Sequence, residues 1–239
     1  MPTDYEPLAE RYDEDRAQFA YARDDLIVAG MRVLDVGCGT GSWLAAQRDD
    51  ASLFGADPST AMLDQARAKG VTHLVCAAAE SLPFADATID YLTSSFCFHH
   101  YVDKERALDE VARVLTAAGV FRLTNIEPTA NTAGWALYRF FPETIAIDAE
   151  RFWSPTRLAE ALQARGLRVE TRIATRHDDV PIARLLADAE RRVVSQLAVL
   201  DDDAYARGLA RLRAVTEPTI ASTESTLRVT ARRNAIVGA

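Results

Sequence analysis

Two carboxylates bracket a turn dense in glycine. In Val33–Trp43, VLDVGCGTGSW, Asp35 stands two residues before Gly37, and Gly39 and Gly41 follow at alternate positions. Such a turn leaves no Cβ between backbone and ligand and permits φ angles that a side chain would penalise. Asp57 ends the next apolar run, twenty residues beyond Gly37. An acid at that place accepts hydrogen bonds from both hydroxyls of a ribose. Further on, SSFCFHHY carries His99 and His100. Unperturbed imidazoles titrate near neutrality, which suits them to removing a proton. The pattern points to an adenosine-bearing cofactor with a candidate base.

Two cofactors compete for the turn. A dinucleotide fingerprint needs G-x-G-x-x-G, its last glycine allowing close helix-to-strand packing. Here the third glycine arrives one residue early and Ser42 holds the expected place. Asp35 would repel a pyrophosphate lying at the turn. A sulfonium ligand with an ammonium group, S-adenosylmethionine, would meet no such repulsion. Asp57 fits either cofactor, and Asp57-Pro58-Ser59 also reads simply as a strand end with a helix cap.

The elements that position these residues are short apolar runs alternating with helical patterns, the signature of a parallel sheet flanked by helices. Residues 31–36, 52–57, 72–77, 89–96 and 119–127 read as five strands, the first and fourth apolar enough to be central. Leu108, Val111, Ala112 and Leu115 recur with helical spacing, Asp103 as N-cap and Gly119 shortly past the end. Residues 154–166 read as a helix with Ser154 as N-cap, Pro155 at its first position and Gly166 after its last turn. Residues 167–174 and 226–232 alternate as half-exposed outer strands, the last at the sheet edge and antiparallel. In an open sheet of this kind ligands bind at the carboxyl ends, where strand order reverses, and the glycine turn lies there.

Two stretches stand outside the scheme. Residues 131–153 are rich in aromatics, and 181–216 read as two helices, the first with a stripe of Ile182, Leu185, Leu186, Ala189 and Val193. Either they cap a pocket or they pack as a core of their own. Trp135, Tyr138, Phe140, Phe141 and Trp153 would suit a largely apolar ligand in the first reading.

Composition narrows the rest. The chain has 239 residues, which favours one domain with insertions. A net charge of −8 argues against nucleic acid, whose binders place Lys and Arg on phosphates. Cys38, Cys76 and Cys97 are odd in number and scattered, so no disulfide framework and no metal site is expected. The acidic opening lacks the form of a signal peptide, and no apolar run reaches membrane-spanning length. A soluble protein of a reducing cytoplasm, monomer or homodimer, is expected.

Four stretches in order, VLDVGCGTG, GADPSTAMLDQAR, AAAESLPFADATIDYLTSSFCFHH and EVARVLTAAGVFRLTNIEP, resemble the class I S-adenosylmethionine-dependent methyltransferases. The likeness is to the small-molecule branch that includes the ubiquinone and menaquinone biosynthesis enzymes, and it covers about residues 30–128. It implies an α/β fold, a Rossmann-like, seven-stranded and mostly parallel sheet with helices on both faces, an N-terminal helix and helical caps. One domain would then span 1–239, with core segments 30–128, 154–176 and 225–233 and cap insertions at 129–153 and 180–217.

The resemblance also implies roles. Asp35, Gly37, Gly39 and Gly41 would border the methionine end of S-adenosylmethionine, and Asp57, followed by Pro58, would hold the ribose. Ala79 and Glu80 would lie against adenine, Ser94 to Phe96 would face the sulfonium, and Tyr12 would close over the cofactor. Ala78 stands where this branch often has an acid, so the adenine amine loses an acceptor. His99 and His100 are the candidate bases, and His73 and His177 receive no role. The segment after the fourth strand lacks the proline-rich motif of amino-directed DNA enzymes, the Pro-Cys of cytosine-C5 enzymes and the paired glutamates of protein-arginine enzymes, which leaves a small-molecule acceptor. Its methylated atom would be O, N or C. A nicotinamide-dependent oxidoreductase, and an S-adenosylmethionine binder without methyl transfer, are the alternatives.

Overall fold

A computed structural model describes residues 6–15, 22–47, 50–130 and 132–233. Seven strands form one sheet: β1 (Arg32–Val36), β2 (Ser52–Asp57), β3 (His73–Cys76), β4 (Ile89–Ser95), β5 (Leu115–Ile126), β6 (Leu167–Pro181) and β7 (Thr219–Arg233). Their order is β3-β2-β1-β4-β5-β7-β6. The first five are parallel, with Asp35 in register with Gly55 on one side and Thr93 on the other. Val33, Leu34, Tyr91 and Leu92 are fully buried, which is why β1 and β4 sit at the centre. Strand order reverses between them.

Two details differ from the sequence reading, the place of the last strand and the end of the helix after Asp103, while the antiparallel run of that strand agrees. β7 lies inside the sheet, between β5 and β6, and β6 is the edge. Thr175, Arg176 and His177 bond to Ser225, Glu224 and Thr223 respectively, so numbering falls on β7 as it rises on β6 and the two run antiparallel. β5 begins at Leu115, directly after the helix Lys104–Val114, so Gly119 is a strand residue and closes no helix. Sequence spacing missed this because Leu115 fits both the last helical turn and the first strand position.

Contacts divide the chain into two compact units. The sheet unit holds the described residues up to Asn125, 155–172 and 228–233; the inserted unit holds 126–154 and 173–227. In the sheet unit, helix Thr60–Ala68 opens at Ser59, whose hydroxyl accepts the Met62 N–H at 3.2 Å. Helix Lys104–Val114 opens at Asp103, which accepts the Arg106 N–H at 3.0 Å. Helix Pro155–Gln163 follows with Pro155 at its first position.

The inserted unit has its own core, built by helices Ala136–Phe140, Thr144–Arg151, Ile182–Glu190 and Asp202–Arg213 around Phe140, Phe141, Ile182, Leu197, Leu200 and Leu212. Phe140 and Phe141, read above as possible pocket walls, are buried there. Helix Asp202–Arg213 comes so close that a Cβ on Gly208 would overlap the Phe141 ring. Tyr138 is also buried and donates to Asp148 at 2.8 Å. Leu185 and Leu186 pack on the same core, as an apolar stripe should. Trp135 lines a small cleft with Glu127, Thr223 and Glu224, and Trp153 is half-buried. No helix among the described residues is long and apolar enough to cross a membrane.

Candidate functional site

β1 delivers Asp35 to the switch point with its side chain inside the protein. The carboxylate is 3% exposed, and its Oδ1 has no hydrogen-bond partner. Burial, then the neighbouring charge of Asp57, pushes its pKa up to about 8. A buried carboxyl with an unpartnered oxygen beside another acid is destabilising unless a cation joins it. An ammonium group is the ligand chemistry this site fits.

The three glycines divide their work. A Cβ on Gly37 would lie 2.6 Å from Cys97 Sγ, and one on Gly41 would lie 2.8 Å from Ala66 Cβ. Those two let β4 and helix Thr60–Ala68 pack against the turn. Gly39 alone faces open space, with no heavy atom within 4 Å of the Cβ position and φ at +52°. The expectation that all three clear room for a ligand therefore narrows to Gly39. A glycine pattern cannot distinguish ligand approach from tight packing, because both demand the same missing atom.

Asp57 holds the turn in place. Its Oδ2 accepts the Gly39 N–H at 2.9 Å and its Oδ1 accepts the Ser59 N–H at 2.9 Å. Burial raises its pKa, opposed by those two N–H groups, with Glu6 adding a smaller upward push. Each carboxylate oxygen has a second lone pair for a further donor. Pro58 links Asp57 to the helix cap at Ser59.

At the end of β4, Ser94 is buried with its hydroxyl 2.9 Å from the Tyr101 hydroxyl and 3.1 Å from Cys97 Sγ. Cys97 donates to the Val36 carbonyl at 3.0 Å, tying β4 to β1 across the switch point. Burial pushes the Cys97 thiol up to about 12 and the Cys38 thiol still higher. Cys76 is the exposed one of the three. Phe96 follows with φ at +55°, its side chain 47% exposed. A left-handed aromatic residue costs about 1–3 kcal/mol and persists only where its surroundings impose it. Here its N–H is held by the Thr124 carbonyl at 2.8 Å.

His99 and His100 form a single helical turn, Phe98–His100, directly after β4. Their ring centroids lie 3.9 Å apart with the planes tilted by 44°. His99 is buried, with Nδ1 3.2 Å from Asn125 Oδ1 at the end of β5. With that oxygen accepting, Nδ1 carries the proton and Nε2 keeps the lone pair. Sequence reading assigned Asn125 nothing, since only the pairing of β4 with β5 brings it to His99.

Ala79 is buried on the loop after β3. Glu80 Oε1 accepts the N–H groups of Val102 at 2.7 Å and Asp103 at 3.1 Å, so one of its oxygens serves the start of helix Lys104–Val114. Glu110 and Arg113 of that helix hold the same loop through Leu82 and Phe84. The N-terminal segment docks on the glycine turn. Asp13 accepts from Thr40 at 2.6 Å and Ser42 at 3.1 Å and pairs with Lys69, which also donates to the Thr40 carbonyl at 2.9 Å. Burial works against the Asp13 carboxylate, but Lys69 and the two hydroxyls outweigh it and hold its pKa low. Tyr12 precedes Asp13 in the same helical turn and is half-buried. The sequence signal for this clamp was Lys69 itself, one of two lysines in the chain.

Among the described residues no three His, Cys, Asp or Glu side chains gather closely enough to share a metal ion.

A family model described as a methyltransferase domain matches residues 34–123. The demethylmenaquinone methyltransferase of Deinococcus radiodurans is 30% identical over 186 residues, 65% of this chain and 76% of that protein. A ubiquinone/menaquinone biosynthesis C-methyltransferase of Vibrio parahaemolyticus is 34% identical over 142 residues, 52% of this chain; the match spans only 55% of the relative. Among solved structures, the YcgJ protein of Bacillus subtilis superposes with a TM-score of 0.59 at 21% identity, covering 94% of this chain and 99% of that one, a likeness of fold. With the ordered motifs seated at the switch point of the expected sheet, the chain belongs to the class I S-adenosylmethionine-dependent methyltransferases.

Proposed function

We propose that this chain transfers a methyl group from S-adenosylmethionine to a small molecule by in-line displacement. When bound, the cofactor supplies a methyl carbon already activated by the positive charge on sulfur. The residues do the holding. Asp35 takes the ammonium, Gly39 admits the ligand to the backbone, and Asp57 and Pro58 border the ribose. Ala79 and Glu80 flank adenine, and Tyr12 closes over the cofactor. Gly37, Gly41 and Ser94 build the floor from behind, while Phe96 faces the sulfonium side. Holding nucleophile, carbon and sulfur collinear is worth up to about 7–11 kcal/mol, so little further side-chain chemistry is required.

Where the acceptor must lose a proton, His99 receives it at Nε2, with Asn125 fixing the ring; His100, in ring contact with it, is the second candidate. The name of the Vibrio parahaemolyticus relative, a C-methyltransferase, favours a carbon acceptor, and the aromatic stretch Trp135 to Trp153 a partly apolar one. The acidic chain and its free cysteines support an acceptor that is not nucleic acid and a reducing, cytoplasmic setting.

The observation that carries the reading is the unpaired Asp35 oxygen beside the open Gly39. Pyrophosphate at that point would add negative charge to a pair of buried acids, which disfavours a nicotinamide dinucleotide. Calorimetric titration with S-adenosylhomocysteine and, separately, NADH tests it. Heat with the first and none with the second is expected; the opposite result ends the proposal. Incubation with S-adenosylmethionine and small-molecule acceptors should then accumulate S-adenosylhomocysteine.

A further inference from the structure

β6 is the outer strand of the sheet, and ten consecutive residues of it, Glu170 to Asp179, are exposed on both faces. One backbone edge bonds β7 and the other has no strand beside it among the described residues. A long strand edge of this kind is a template for another strand, and proteins normally blunt it with charge. Here the charges follow a rule of their own.

Consider a second copy of β6 laid antiparallel against the first by a two-fold axis perpendicular to the sheet. Residues directly opposite share a face, so the axis must pass through a single residue position. With the axis at Ile173, Arg168 faces Asp178 and Glu170 faces Arg176, and symmetry repeats both pairs. On the other face Thr171 meets Thr175, and Ile173, 49% exposed, meets its own copy. Moving the axis one residue breaks this. At Arg172 it sets Arg168 against Arg176 and Arg172 against itself; at Ala174 it sets Arg172 against Arg176 and Glu170 against Asp178. More distant registers keep at most one opposite-charge pair. Opposite charges and Thr–Thr pairs across strands are favourable, and like charges directly opposite are not.

We propose that β6 is a homodimer interface, in which a second copy of this chain adds edge to edge in the register centred on Ile173. Within one copy the same charges pair along the strand, Glu170 with Arg172 at 2.7 Å and Arg176 with Asp178 at 2.5 Å, and Arg176 also reaches Glu224 of β7 at 3.2 Å. The two pairs along the strand are solvent-exposed and weak, so exchanging them for cross-strand partners is inexpensive, and Arg176 can keep Glu224. Backbone hydrogen bonds and the Ile173 contact supply the attraction, and the charges choose the register.

Sedimentation equilibrium on the full chain tests this, with S-adenosylhomocysteine binding and circular dichroism confirming that each variant is folded. The wild type should be a dimer and Ile173→Arg a monomer. Arg168→Asp and Asp178→Arg should each weaken dimerisation about tenfold or more, because each sets like charges opposite one another twice. The double variant Arg168→Asp/Asp178→Arg should restore wild-type association. A monomeric wild type, or a double variant no better than the single ones, overturns the proposal. These outcomes do not depend on methyl transfer.

Discussion

Each unit buries a carboxylate, and the two are treated differently. In the inserted unit Asp148 is fully buried and its Oδ1 has no hydrogen-bond partner, but the Tyr138 hydroxyl donates to its Oδ2 at 2.8 Å and the Arg151 guanidinium lies 3.9 Å away. In the sheet unit Asp35 is nearly as buried and likewise has an oxygen with no partner, but its charged neighbour is another acid. Burial raises both, Asp148 to about 6 and Asp35 to about 8. Asp148 has partners from its own unit and serves the fold; Asp35 lacks them and awaits a ligand.

Breaking each site should therefore fail in a different measurement. Asp148→Ala strands Tyr138 and Arg151 and should cost about 3–5 kcal/mol in denaturant unfolding, the usual loss when one member of a buried charged network is removed. Asp35→Asn should do the reverse, lowering S-adenosylhomocysteine affinity about a hundredfold, roughly 2.7 kcal/mol, with no loss of stability in the free protein. If Asp35→Asn unfolds the chain while binding survives, the contrast is wrong. Asp57→Ala comes next. It should weaken the cofactor about tenfold or more by removing both the ribose acceptor and the brace on Gly39, read by the same calorimetry.

The contrast also has a pH signature. The folded pKa of Asp35 is raised above its ordinary value of 3.8, so the free protein binds a proton more tightly folded than unfolded. Its stabilising contribution is complete at low pH and is lost as pH rises towards about 8. Cofactor affinity runs the other way, increasing up to about pH 8 as Asp35 ionises, with proton release on binding. Melting curves across pH should decline less steeply in Asp35→Asn, and wild-type binding heats should depend on the ionisation enthalpy of the buffer. The smallest effect is at the glycines. Gly39→Ala should cost only about 1 kcal/mol of stability, for its backbone conformation. Gly37→Ala should cost more, because Cys97 occupies the space.

What was legible in the sequence was local. The glycine turn, Asp57 two residues before Ser59, the Asp103 cap and the helix after Pro155 each depend on neighbours within a few positions, and each appears where it was read. What was not legible depends on chain segments far apart. The partnership of His99 with Asn125, the clamp of Asp13 on Thr40 and Lys69, and the blockage of Gly37 by Cys97 arise from pairing that no spacing encodes. The aromatic stretch failed for another reason. Apolar side chains suit a pocket and a core equally, and whether Phe140 and Phe141 face one or the other is decided by Gly208 and its helix, some seventy residues away.

The three cysteines leave an experimental handle. Cys38 is buried and Cys97 half-buried, with thiols held protonated far above neutrality, so alkylating reagents will react first elsewhere. Cys76 is exposed, and it stands in register with Asp57 on the neighbouring strand. A maleimide dye will therefore attach at one position without mutagenesis, beside the carboxylate that braces the turn, and its emission can report occupancy in real time.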